Sequence, residues 1–141
     1  MKTLFDISGL LVLPFWLLMI VAPKWRVTML ILSSPWVVMG PVFIYVILVL
    51  PEIASVLPKV MSPELSRIAT LLGTERGATI GWMHFLAFDL FVGRWAYLES
   101  RERNISPWLM APVLFFILML GPLGLLMFLV VRSISKPRIA T

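Results

Sequence analysis

Four long stretches of this chain are almost free of charge, and that pattern leaves few ways to fold. Ile7 to Pro23, Val27 to Pro51 and Asn104 to Val131 contain no charged residue, while Gly77 to Leu98 holds a histidine, an acid and a base, His84, Asp89 and Arg94. A helix crosses about 30 Å of hydrocarbon with about 20 residues, and it satisfies its own backbone hydrogen bonds in lipid. Each stretch is too long for a barrel strand. The pattern predicts an all-α integral membrane protein, a single domain over residues 1–141 with four transmembrane helices at 5–23, 28–51, 77–98 and 108–131. The first is short and leans on Phe5 and Trp25 at its interfaces. Gly40-Pro41 and Gly121-Pro122-Leu123-Gly124 predict kinks in the second and fourth helices, because proline removes a backbone donor and glycine permits close approach.

Composition agrees with this class. Hydrophobic residues make up 60% of the chain and charged residues 13%, against about a quarter charged in a soluble domain. The net charge of +5 is not a nucleic-acid footprint, since the cations sit between and after apolar runs, where lipid headgroups lie. The tail from Arg132 through Lys136 to Arg138 reads as a contact with anionic headgroups. The chain has no cysteine and one histidine, so neither thiolate chemistry nor a metal site is expected. Lys2 precedes an apolar run that no small-residue cleavage site closes, so the first span reads as a retained helix.

Four spans place both termini on one face. Lys2, Lys59, Arg67, Arg76, Arg132, Lys136 and Arg138 then share that face, seven cations against five on the other (Lys24, Arg26, Arg94, Arg101, Arg103). The excess points to cytoplasmic or stromal termini. Between Glu52 and Arg76, Ser62-Pro63-Glu64 marks a helix start, and residues 63–72 read either as a short interfacial helix or as a solvated loop.

Chemistry can reside only in the third span. An ionisable group at bilayer depth costs at least about 2.5–3.5 kcal/mol and faces a cavity, a partner or a ligand. His84 and Asp89 are five residues apart, so their directions on a helix differ by about 140°. One reading is an acid–base site: a carboxyl in hydrocarbon disfavours its charged form and can exchange a proton in a dry pocket, with His84 sharing that work or orienting a hydroxyl. The bland reading is structural, with both residues hydrogen-bonded to Ser33, Ser34, Tyr45 or loosened backbone. A third is His84 as axial ligand to a pigment metal. Arg94, near the interface, either snorkels or partners Asp89. Trp82 and Phe85, with Gly121 and Pro122 opposite, are the candidate walls of a substrate pocket, and packing of small residues is the alternative for the glycines. No phosphate loop, nucleophile elbow, HExxH or CxxC occurs.

The run Trp82-x-His84-x-Leu86-Ala87-x-Asp89-Leu90-Phe91-x-x-Arg94 resembles the hallmark of the abscisic-acid-deficient-4-like family, whose plant members are neoxanthin synthases. Pro14, Trp16, Pro23 and Gly121-Pro122-x-Gly124 support the resemblance, which covers nearly the whole chain. It implies carotenoid chemistry in a photosynthetic membrane, cyanobacterial thylakoid or plasma membrane or plastid: a xanthophyll epoxide opening to an allene with a tertiary hydroxyl, without a cofactor. Such a reaction needs an acid for the epoxide oxygen and a base for the C7 proton, and Asp89 and His84 are the groups available as catalytic residues. The alternative is a noncatalytic carotenoid- or chlorophyll-binding subunit. The expected partners are a carotenoid or other isoprenoid, membrane lipids, and either further copies of the chain or a photosynthetic complex, with no nucleic acid.

Overall fold

The computed structural model describes residues 1–135, and these form helices and turns without a strand. Lys136, Pro137 and Arg138 of the expected headgroup contact lie outside the described residues. The order is α1 (Lys2–Val21), α2 (Arg26–Ser33), a 3-10 turn (Pro35–Val38), α3 (Met39–Val49), a second 3-10 turn (Leu50–Glu52), α4 (Ile53–Met61), α5 (Leu65–Leu72), α6 (Glu75–Glu102) and α7 (Pro107–Ile134). By length and composition, Lys2–Val21, the helical run Pro35–Met61 and Pro107–Ile134 suit a membrane. Leu17, Trp36, Phe43 and Trp108 are all more than half exposed, as residues facing lipid are.

α6 is the axis of the bundle. α1 runs parallel to it: Ser8 meets Trp82, Trp16 meets Gly93, and the Tyr97 hydroxyl donates to the Pro23 carbonyl at 2.8 Å. α3 runs antiparallel: Arg94 reaches the end of α2, the Tyr45 and His84 rings lie 5.8 Å apart, and Arg76 reaches the Leu48 carbonyl and Glu52 at the far end. Three traverses of the bundle result. The core between them is Val12, Trp16, Met19, Leu32, Met83, Leu90 and Tyr97, joined by Ile117 and Phe128 of α7.

The second traverse is not one helix kinked at Gly40-Pro41. Its break lies at Ser34, whose backbone is extended (φ −77°, ψ 127°). The ring of Pro35 disfavours helical geometry in the preceding residue, and the Ser34 hydroxyl accepts from the Trp36 amide at 3.3 Å to start the next turn. Gly40-Pro41 falls in the first turn of α3, where proline's missing donor matters least. Nor does helix end at Pro51: it resumes as α4, and α5 follows after Ser62-Pro63-Glu64.

The fourth interval departs most from expectation. As one straight helix, the 28 residues of α7 would hold their ends about 40 Å apart. Instead Glu99 Oε1 accepts from Arg103 Nε at 2.6 Å and from Arg132 Nε at 2.9 Å, and Arg103 Nη1 donates to the Ser135 carbonyl at 3.2 Å. Arg103 precedes α7 and Ser135 follows it, so the two ends of α7 meet. The reversal is at Leu120, whose φ −141° and ψ 48° are not helical. Residues 107–119 therefore descend toward the middle of the bundle and residues 121–134 return. α7 is a re-entrant hairpin, and the four-span expectation gives way to three traverses plus this hairpin. The two arms press close behind the turn: a Cβ on Gly124 would collide with the backbone of Phe116 and Ile117. Broken backbone at membrane depth is tolerated where protein or a cavity surrounds it, and this turn has both.

The shared-face expectation for the termini falls with the fourth span. Lys2, Lys59, Arg67 and Arg76 now stand on the N-terminal face, against Lys24, Arg26, Arg94, Arg101, Arg103 and Arg132 on the other, so among the described residues the cation excess no longer marks the N-terminal face. Reporters fused at Met1 and after Ser135 should give opposite compartment signals. Equal signals would restore the four-span arrangement.

Glu99 also gives the fold a pH dependence. Hydrogen bonds from Arg103 and Arg132 hold its carboxyl below the ordinary value of 4.5, against the opposing effect of burial. A depressed carboxylate stabilises the fold above its unfolded value, and that stabilisation is lost as the pH falls through the folded value. Detergent-solubilised protein should lose thermal stability as the pH drops below about 4.5. Glu99→Gln should be less stable at neutral pH and nearly flat through that window.

Candidate functional site

α6 buries one stripe and exposes the opposite one. Met83, Leu86, Ala87, Leu90, Gly93, Ala96 and Tyr97 are buried at helical spacing, and Phe85, Phe88 and Phe91 face outward. Gly93 belongs to the stripe because the Trp16 ring lies against it: an added Cβ would stand 2.7 Å from the ring Cζ3. Asp89 lies at the margin of this stripe, half-buried.

The hairpin turn arrives beside Asp89. A Cβ on Gly121 would run into Asp89 Oδ1, so only glycine lets the turn approach the carboxyl this closely. Together they border a cavity of about 480 Å³ whose other walls include Trp82, Phe85, Leu86, Met119 and Pro122. That volume lies within the range of small-molecule sites. Among the described residues, Asp89 has no ion-pair partner and accepts no hydrogen bond. Its carboxyl is the principal ionisable group on an otherwise apolar wall. Trp82 is fixed from behind: its Nε1 donates to Ser8 Oγ at 3.0 Å, Ser8 Oγ donates to the Phe5 carbonyl at 2.6 Å, and the Phe5 ring lies 5.4 Å from the indole. The indole donor is thus used up, leaving Trp82 as a rigid apolar partition.

Five of the sequence-derived residues meet here: Asp89, Trp82, Phe85, Gly121 and Pro122. His84 does not. It is exposed and packs among Phe88 (ring centroids 4.7 Å), Tyr45 and Phe85. It lines a separate cavity of about 300 Å³ with Tyr45, Val60 and Leu72. The five-residue spacing keeps it off the Asp89 face, as helix geometry requires. Arg94 is also elsewhere. Its Nε and Nη2 donate to the carbonyls of Leu32 and Ser33, each at 2.7 Å, closing the C-terminal end of α2. The cation there satisfies carbonyls that the helix leaves unpaired. Sequence reasoning missed Leu118, Met119 and Ser8. Leu118 and Met119 belong to an apolar run with nothing to single them out, but Ser8 is a lone hydroxyl in the first span and was a visible signal. No cluster of three or more potential metal ligands occurs among the described residues.

The model of the ABA DEFICIENT 4-like family matches residues 3–128, from the start of α1 into the returning arm of α7. The chain belongs to the ABA DEFICIENT 4-like family. It is 33% identical over 111 residues to Protein ABA DEFICIENT 4, chloroplastic, of Arabidopsis thaliana, an alignment covering 74% of this chain and 50% of the relative. The chain thus spans about half the length of that curated relative. No solved structure matches the chain. The family match includes α6 with Asp89 and the turn with Gly121.

The two glycines of the turn should behave differently. In Gly121→Ala the new methyl meets the end of a movable side chain, so the protein should fold with little loss of stability while the Asp89 carboxyl is displaced. In Gly124→Ala the methyl meets backbone that cannot give way, an overpacking that costs about 1–3 kcal/mol. Thermal unfolding in detergent should rank wild type and Gly121→Ala together, with Gly124→Ala below both.

Proposed function

We propose that this ABA DEFICIENT 4-like protein modifies carotenoids of the xanthophyll type in a photosynthetic membrane, plastid or thylakoid, by an epoxide-to-allene isomerisation of the neoxanthin-forming kind. The observation that carries the reading is Asp89: an unpartnered carboxyl on the wall of an apolar cavity at membrane depth, in a family named for a chloroplastic relative. Hydrocarbon surroundings disfavour a bare charge, so a neutral carboxyl is available there as a proton donor.

Because His84 lies on another face, one carboxyl must serve as both acid and base. Neutral Asp89 gives its proton to the epoxide oxygen as the C6–O bond breaks, leaving a hydroxyl on C5 and a cation at C6 that the polyene delocalises. The resulting carboxylate takes the proton from C7, and that C–H electron pair becomes the new C6–C7 double bond of the allene. One proton leaves and one returns, the electron count is unchanged, and Asp89 ends as it began. No redox partner enters. Exclusion of water from the apolar cavity protects the cation from capture as a diol. Trp82, Phe85, Gly121 and Pro122 supply shape, and Gly121 sets the position of the carboxyl.

A second reading rests on His84. An exposed imidazole among Tyr45, Phe85 and Phe88 suits the axial ligand of a pigment metal or a contact with a partner subunit, and favours a noncatalytic role in a pigment complex. The two readings separate by mutation. Asp89→Asn keeps shape but cannot carry a proton. It should fold, retain carotenoid and lose product formation by about 10²- to 10⁴-fold, the usual contribution of an acid–base group, when assayed with violaxanthin and chromatographic separation of products. His84→Gln should leave turnover near wild type. Full activity in Asp89→Asn, with pigment lost in His84→Gln, would favour the noncatalytic reading.

A further inference from the structure

The re-entrant hairpin fills only half the depth of the bundle. Its arms pack beside the C-terminal half of α6, with Phe128 against Trp95 at 5.0 Å between ring centroids, and its turn stops at Asp89. Toward the N-terminal face, no hairpin covers the surface between α1 and α6. A second cavity of about 350 Å³ lies there, bounded by Asp6, Gly9, Leu13, Trp16, Trp82 and Leu118 among others. It shares Trp82, Leu86, Leu118 and Met119 with the Asp89 cavity, so the two adjoin around the Trp82 indole. From the pairing of Ser8 with Trp82, Asp6 and Asp89 are separated by about 14 Å along the bundle axis, at 1.5 Å per residue. That is about half of the hydrocarbon thickness.

We propose that this trough along α1, from Asp6 past Gly9 to Asp89, is the binding channel for one half of a rod-shaped isoprenoid. The inference rests on the reading of Asp89 as the substrate-facing carboxyl and adds how the ligand lies. The polar end group, carrying a hydroxyl or epoxide oxygen, sits at the inner end against Asp89 and the Gly121 turn. The polyene runs outward along α1 into the leaflet on the N-terminal face. Three observations select this occupant. The walls are apolar and open to lipid, which suits a hydrocarbon rod. The inner end holds a carboxyl with no partner among the described residues, which suits one oxygen on that rod. The channel is half a bilayer deep, so the remainder of the molecule stays in lipid. A simple acyl lipid fits less well, because its polar end belongs at the headgroups and its methyl end would abut the carboxyl.

Gly9 provides the test. An added Cβ there meets no atom within 4 Å, so a larger side chain at this position enters open trough, and replacing glycine within a helix favours the helix. Gly40 likewise has nothing within 4 Å of an added Cβ and lies outside the trough, so Gly40→Leu is the control. Zeaxanthin, which carries end-ring hydroxyls, and β-carotene, which lacks them, serve as probes, titrated into the purified full chain with bound pigment read by absorbance. Wild type should bind zeaxanthin at least about tenfold more tightly than β-carotene, since a site built to hydrogen-bond a hydroxyl rejects the analogue without it. Gly9→Leu should weaken zeaxanthin by about tenfold and Gly40→Leu should not. Asp89→Leu should reduce zeaxanthin to the β-carotene level. Should Gly9→Leu accumulate poorly, Leu13→Trp on the same wall must show the same loss. Unchanged affinity in both trough variants, with Asp89→Leu still weakened, overturns the channel and leaves the Asp89 reading standing. Equal wild-type affinity for the two probes overturns the end-group assignment. Failure of wild type to bind either carotenoid overturns the channel together with the carotenoid reading.

Discussion

Glu99 decides the shape of this protein. One carboxylate oxygen accepts from Arg103 before α7 and from Arg132 near its end, and an apolar helix long enough to cross a membrane is thereby returned to the face it left. Exposed ion pairs contribute little to stability, but this one is mostly buried at Glu99 and Arg103. Its importance is in topology more than in energy. The turn at Leu120 stands at the depth of Asp89 because the hairpin starts and ends at Glu99 and each arm is about 20 Å long, 13 or 14 residues at helical rise. Gly121 and Gly124 then let the turn close against a carboxyl and against its own other arm. The catalytic reading, the cavity and the trough all follow from where that turn stops.

Much of this architecture was legible in the sequence. The charge-poor intervals located α1, the α2–α3 traverse, α6 and α7, because hydrocarbon disfavours charge whatever the tertiary fold. The cost of polarity at depth, the deep aromatics and the glycine–proline break point to Asp89, His84, Trp82, Phe85, Arg94, Gly121 and Pro122 as one site; five of them line one cavity, and His84 and Arg94 do not. The 140° offset between His84 and Asp89 also stood in the sequence, and it was correct against the convenience of pairing them. What stayed hidden was long-range. A hydropathy pattern counts residues and cannot tell a helix that crosses from a hairpin that returns. The signals were present in weak form: Gly121-Pro122 stands at the midpoint of the interval, and cations flank both its ends as Arg103 and Arg132. Nothing local says that the two cations share one carboxylate. Arg94 was misjudged for the same reason, since its partners Leu32 and Ser33 are backbone carbonyls some sixty residues away.

Proline and glycine do different work at the two breaks. At Ser34-Pro35 the proline acts on its predecessor, extending one residue so that α2 and α3 form two shorter rods, with Arg94 closing the end of the first. At Leu120-Gly121-Pro122 the residue before the glycine leaves helical geometry, and the glycines are needed for space, since neither adopts a positive φ. The polar side chains of α6 include some that mend backbone (Arg94, Tyr97, Arg76), while His84 packs among aromatic rings and Asp89 faces an apolar cavity and mends none. That contrast sets Asp89 apart from structural polarity in the same helix.

The hairpin also makes the two flanks of α6 unequal. Near the C-terminal end of α6, a plane through the bundle cuts α1, α2, α6 and both arms of α7. Near its N-terminal end the hairpin is absent, and the short helices α4 and α5 pack on the α3 flank instead, with Val60 and Leu72 beside His84. Among the described residues, the α1 flank has no such cover beneath the turn, where Gly9 faces open space. Protein therefore continues to the N-terminal face on one flank of α6, and on the other the surroundings must supply whatever fills the same depth.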